Sequence, residues 1–115
     1  MGLEQIFDDN SVIWHNFNNR NVNATENLAG LKALFAAVDT VKYTDIRRLQ
    51  IPGGLLERHN LVCRRADEVL EMPTCMLIEV RSSRIVRMDE YIDPAPLLKL
   101  FPSGLHPDSA ANRSE

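Results

Sequence analysis

Between residues 41 and 92 the chain is a succession of strand-like segments joined by connections that leave room only for tight turns. Val41 to Leu49 is strand-like, and Ile51-Pro-Gly-Gly then supplies a turn. Gly54 to Arg65 is a longer strand, and Arg65-Ala-Asp-Glu connects it to the strand Leu70 to Arg81. Ser82-Ser83 then turns the chain into Arg84 to Ile92. Neighbours joined this closely run antiparallel, because a parallel pair needs a long crossover between its strands. Only Pro73, which removes a ladder donor, predicts an irregularity.

Ahead of this run, Gly2 to Asp9 reads as the last turns of a helix. Ser11 to Phe17 alternates as a short strand, with Val12, Trp14 and Asn16 on one side and Ile13, His15 and Phe17 on the other. The Asn-rich stretch 16–23 reads as a loop. Asn23 and Glu26 fit a capping box, in which each side chain satisfies a free backbone N–H. Leu28, Leu31, Leu34, Phe35 and Val38 follow at helical spacing as one apolar stripe. Near the end, Asp93-Pro94 gives an N-cap and a proline at the first helical position. The fold class expected is α+β: one curved, mostly antiparallel sheet wrapped around helices, a cone with an apolar interior. Residues 1–101 read as a single domain and 102–115 as a polar, disordered tail.

Along the last strand the even-numbered side chains are Val86, Met88, Glu90 and Ile92, which puts one carboxylate in an apolar row. An acid so placed pairs, shifts its pKa upward or faces a cavity, unless the strand is an edge and the acid reaches solvent. On the longer strand, Leu56, Arg58, Asn60, Val62 and Arg64 share a side. With that side inward, Arg58 would enter the hollow beside Glu90. His15 and His59 would then face outward, and a bulge that moved the register by one residue would reverse this.

The net charge of −3 argues against nucleic acid and membrane surfaces as partners. No apolar run approaches membrane-spanning length and the front lacks a signal-peptide layout, so the cytosol is the expected compartment. Cys63 and Cys75 read as buried thiols, with no cluster around them for a metal. No cofactor motif is present, and neither a cofactor nor a metal is expected.

Three segments carry a family resemblance: Phe7-Asp-Asp-Asn-Ser-Val-Ile-Trp-His-Asn, Asn27-Leu-Ala-Gly-Leu-Lys-Ala-Leu-Phe, and Arg84-Ile-Val with Asp89-Glu-Tyr-Ile-Asp-Pro. They resemble the SnoaL-like branch of the nuclear transport factor 2-like superfamily over residues 5 to 101. The resemblance implies a cone-shaped α+β fold, which hosts polyketide cyclases, ketosteroid isomerases, epoxide hydrolases and proteins without catalysis. By spacing, Leu55-Leu-Glu-Arg-His-Asn and Asp89-Glu-Tyr-Ile-Asp are most similar to limonene-epoxide hydrolases. Carried over by position, Glu90 is the base, Arg58 the bridge between carboxylates and Asn60 stands at the acid position. Asn16 would hold a water, and Trp14 takes a tyrosine's place. Val62, Met88 and Leu34 would complete the substrate-binding wall. An amide at position 60 cannot donate an acid's proton, Trp14 offers no acceptor oxygen, and the family's front helices are longer than Gly2 to Asp9. That short front suggests a truncated reading frame or a wall supplied by a partner subunit.

Two functions follow. One is a cofactor-independent acid–base enzyme acting on a small apolar molecule by epoxide hydrolysis, isomerisation or cyclisation. The other is a non-catalytic ligand-binding or oligomerisation module of the same fold, with Glu90 and Arg58 as a structural pair. The resemblance also implies a homodimer through the outer face of the sheet.

Overall fold

The computed structural model describes residues 2–103. A single helical turn, α1 (Leu3–Ile6), leads into β1 (Phe7–His15), and β2 (Arg20–Val22) folds back on it. Then come α2 (Ala24–Ala36), β3 (Thr40–Ile51), β4 (Gly54–Arg65), β5 (Glu68–Arg81), β6 (Arg84–Ile92) and α3 (Pro94–Leu100). The sheet has the order β2-β1-β6-β5-β4-β3. β1 lies parallel to β6, and every other neighbouring pair is antiparallel. This is the expected α+β cone, a curved six-stranded sheet with its helices on the concave side.

The expected helix at the front is shorter than Gly2 to Asp9. The chain turns extended at Phe7, where it pairs with Ile85 of β6. The Asn-rich stretch is not wholly loop, because Arg20, Asn21 and Val22 pair with β1 around Asn19, which takes a left-handed φ of 55°. That conformation is one an Asn tolerates better than most residues. The capping box of α2 is present: Glu26 N–H donates to Asn23 Oδ1 at 2.8 Å, and Asn23 N–H donates to Glu26 Oε1 at 2.9 Å. Asp93 caps α3 through Oδ1, which accepts from Ala95 N–H. The tail 102–115, apart from its first two residues, lies outside the described residues.

The closed end of the cone is packed by hydrocarbon. Leu34 of α2 and Leu97 and Leu100 of α3 meet Leu61, Cys63, Leu70, Met72 and Ile92 of the sheet. Among the described residues the convex face carries no helix, and Leu49, Leu77 and Tyr91 stand exposed on it. Trp14 packs edge-on against Tyr91 there. Both cysteines are free thiols, Cys63 buried and Cys75 only partly so. Among the described residues no helix is long and apolar enough to cross a membrane.

Candidate active site

The decisive feature is one row of residues that crosses all six strands. Strand by strand, the paired positions are Arg48, Glu57, Met76, Glu90, His15 and Arg20. Residues paired across a sheet share a face, so two carboxylates and a histidine point to the concave side together. The next row toward the packed end is His59, Thr74 and Ile92. The opposite one is Leu55, Ile78, Met88 and Ile13.

Between these rows and α2 lies a cavity of about 280 Å³. Leu28, Leu31 and Leu34 form its helical wall, and Phe7 and Leu3 close in from the front. Against this hydrocarbon stand His15, Glu90, His59, Glu57, Tyr43 and Thr74. The pocket is thus mostly apolar with a few convergent polar groups, the usual make-up of a small-molecule site.

The polar groups form two pairs. His15 Nε2 stands 3.1 Å from Glu90 Oε1, with 10% and 23% of the two side chains exposed. His59 Nδ1 lies 3.0 Å from Glu57 Oε2, and Arg48 Nε donates to Glu57 Oε1 at 2.6 Å. Burial alone raises Glu57's pKa, but the hydrogen bonds from Arg48 and His59, with the charge of Arg48, outweigh it, and the group sits below its ordinary value. Glu57 is therefore an ionised carboxylate with both oxygens engaged. Tyr43 packs edge-on against His59, with ring centroids 5.0 Å apart. Burial, then the charges of Glu90, Cys63 and Glu57, push its phenol above the ordinary value, so its proton is firmly held. Burial likewise raises the Cys63 thiol and leaves it without thiolate character.

Of the residues singled out from sequence, Glu90, Met88 and Leu34 line the cavity. Arg58, Asn60, Val62, Trp14 and Asn16 do not. β4 pairs with β5 without interruption from Gly54 to Arg65, and Glu57 shares its row with Met76 and Glu90. Arg58 instead shares a row with Cys75 and Tyr91 on the convex face. The expected phase of β4 is thus reversed, and Arg58 neither meets Glu90 nor bridges carboxylates. Asn60 faces outward, where its Nδ2 donates to Glu71 Oε1 at 2.7 Å. Val62 lies on that same face opposite Glu71.

β1 is reversed in the same way. Ile13 and His15 point inward, while Trp14 donates from Nε1 to Asn19 Oδ1 at 2.8 Å. Asn16 follows β1 and extends its ladder with its side chain, accepting from Ile92 N–H at 2.9 Å and donating to Ile92 O at 3.1 Å. Arg58, Asn16, Tyr91 and Asp93 border only a shallow hollow on the convex side. The five-residue arrangement of an epoxide hydrolase does not assemble.

Sequence reasoning missed Glu57 and placed His15 and His59 on the outer side, where they would turn inward only with a one-residue change of register. A detectable signal was the Glu57-x-His59 spacing within one strand. Two groups able to neutralise each other occupy consecutive same-side positions, whereas the alternative side would bury Arg58 and Arg64 without a carboxylate on that strand side. No group of three or more metal-ligating side chains occurs among the described residues.

No protein-family model and no curated protein matches the chain. Solved structures do. IdmH from Streptomyces antibioticus, assigned as a polyketide cyclase, superposes with a TM-score of 0.71 at 14% identity, covering 87% of this chain and 84% of that one. A protein from a Jannaschia species, assigned as a SnoaL-like polyketide cyclase, gives 0.70 at 9% identity, covering 89% and 77%. A Catenulispora acidiphila protein with a ketosteroid isomerase-like fold gives 0.65 at 14% identity, covering 87% and 79%. At these identities the likeness is one of fold: the chain shares the curved α+β cone of these SnoaL-like and ketosteroid isomerase-like structures.

Proposed function

We propose that this SnoaL-like cone is a cofactor-independent acid–base enzyme that moves a proton on a small, mostly apolar carbonyl compound, as in cyclisation or isomerisation. The observation that carries the reading is the Glu90 carboxylate beside His15 Nε2, in a hollow otherwise walled by hydrocarbon. Only a group near a reacting atom and partly withheld from water makes an effective general base.

In the chemistry proposed, Glu90 takes a proton from the carbon next to a carbonyl. The C–H bond breaks, an O–H bond forms on Glu90, and the electron pair passes to the carbonyl oxygen as an enolate. In isomerisation the same proton returns to a different carbon. In cyclisation the enolate carbon attacks a second carbonyl, and the new alkoxide takes up the proton. His15 steadies Glu90 in both protonation states, since its Nε2 donates to the carboxylate or accepts from the acid. Epoxide opening is the less supported alternative, because it asks for a bridging cation and an opposed acid where Arg58 and Asn60 face away from the hollow.

The test is a thermal-shift screen with steroids, aromatic polyketide mimics and terpene epoxides, followed by turnover assays on compounds that stabilise the protein. Leu31→Trp, which fills the cavity, is expected to remove the stabilisation. Glu90→Gln is expected to lower turnover by about 10²–10⁴-fold while leaving the melting temperature unchanged or raised, because a desolvated carboxylate has gone. Turnover undiminished in that variant would remove Glu90 from the reaction. Ligand binding without any turnover would favour the non-catalytic module. The reading also includes a homodimer formed through the convex face, supported by the exposed Leu49, Leu77 and Tyr91.

A further inference from the structure

We infer that His59 is a second proton-handling group of the cavity, presenting Nε2 to a hydroxyl or carbonyl oxygen of the ligand, with Glu57 and Arg48 as its positioning residues. The inference rests on the acid–base reading above and extends it from one end of the cavity to the other.

Each carboxylate in the row has a histidine beside it, but the two pairs are built differently. Glu90 has one oxygen near His15 and no hydrogen bond to the other among the described residues. Both oxygens of Glu57 are engaged, by Arg48 and by His59. An ionised carboxylate only accepts, so the proton of neutral His59 must reside on Nδ1. Nε2 is then a lone pair, and it makes no hydrogen bond among the described residues. The His59 side chain is 6% exposed and its ring is wedged against Tyr43, so its orientation is set by packing as well as by Glu57. When Nε2 takes a proton, the imidazolium is balanced by the carboxylate already beside it.

One strand separates Glu57 from Glu90. With neighbouring strands about 4.8 Å apart, the two carboxylates leave the sheet about 10 Å from each other and converge on the cavity from opposite sides. That separation matches a flat body of one or two rings lying over Met76, which stands between them in the same row and lines the cavity. The ligand class is thus an enolisable ketone or its enol, carbon toward Glu90 and oxygen toward His59. From the enol, the O–H bond breaks and Nε2–H forms. The electron pair closes the C=O bond, and the carbon takes the proton of a protonated Glu90. Glu90 is left ionised and His59 charged, and water returns the proton from one to the other. The ketone enolises by the reverse path.

The probe is 2-naphthol, a stable enol mimic, with naphthalene as the control lacking a hydroxyl. In ¹⁵N-labelled protein, neutral His59 is expected as the Nδ1–H tautomer, with 2-naphthol shifting its Nε2 resonance and naphthalene leaving it in place. His59→Phe and Glu57→Gln are each expected to reduce the preference for 2-naphthol over naphthalene by about tenfold. An Nε2–H tautomer in the unaltered protein overturns the inference, as does an unreduced preference in His59→Phe or failure of both compounds to bind. The tautomer is read without any variant, so a misfolded substitution does not protect the idea. Full turnover in Glu90→Gln would instead sink the acid–base reading and leave the His59 tautomer standing.

Discussion

At the scale of single residues, Glu57 makes the fold sensitive to acid. Its folded pKa lies below the ordinary value, because the bonds from Arg48 and His59 outweigh burial. The folded state therefore binds that proton less readily than the unfolded chain does. The stabilisation is complete above the ordinary Glu value of about 4.3 and is lost as pH falls through the lower folded value. Urea midpoints measured from neutral pH downward should fall in the wild type, with a shallower fall in Glu57→Gln. Equal slopes would mean that Glu57 is not held in its ionised form by the fold. Glu90 was visible in the sequence because a lone acid in an apolar row is conspicuous. The inward orientation of His15 and His59 was not, because on β1 and β4 both sides carry apolar residues, and counting apolar residues cannot choose between them.

At the scale of elements, turns and close approaches set the tolerance to change. Ser82 and Ser83 join β5 to β6 with φ of 52° and 66°. Two consecutive positive values are the signature of a hairpin turn that favours Asn-Gly. Replacing the pair by Asn-Gly should raise stability by about 1 kcal/mol, measured by urea denaturation. Gly54 has the opposite character, since an added Cβ would collide with the carbonyl oxygen of Ile78. Gly54→Ala is therefore expected to cost at least about 2 kcal/mol, a penalty that no side-chain rearrangement relieves. The strand boundaries of β4 and β6 and the cap of α2 were legible from local chemistry. β2 was not, because its three residues pair only when β1 is there to receive them.

At the scale of the whole molecule, one sheet serves two surfaces. The concave side splits into a packed end and a hollow, and Met72, fully buried in the packed end, should cost about 2–5 kcal/mol when cut to Ala. The convex side leaves Leu77 exposed, and Leu77→Asp should turn the proposed dimer into monomers in sedimentation velocity without lowering the melting temperature of the monomer. A wild type that sediments as a monomer at all concentrations would remove the dimer. Alternation and turn chemistry were enough to specify a mostly antiparallel α+β cone, because those patterns act between residues close in the chain, whereas the parallel pairing of β1 with β6 joins residues far apart in it. Which side of each strand looks inward is a different kind of question. A strand offers two faces of nearly equal hydrophobicity, and the choice falls only when its neighbours are in register. Glu57, Met76 and Glu90 come from three strands, and their common row exists only once the sheet has closed.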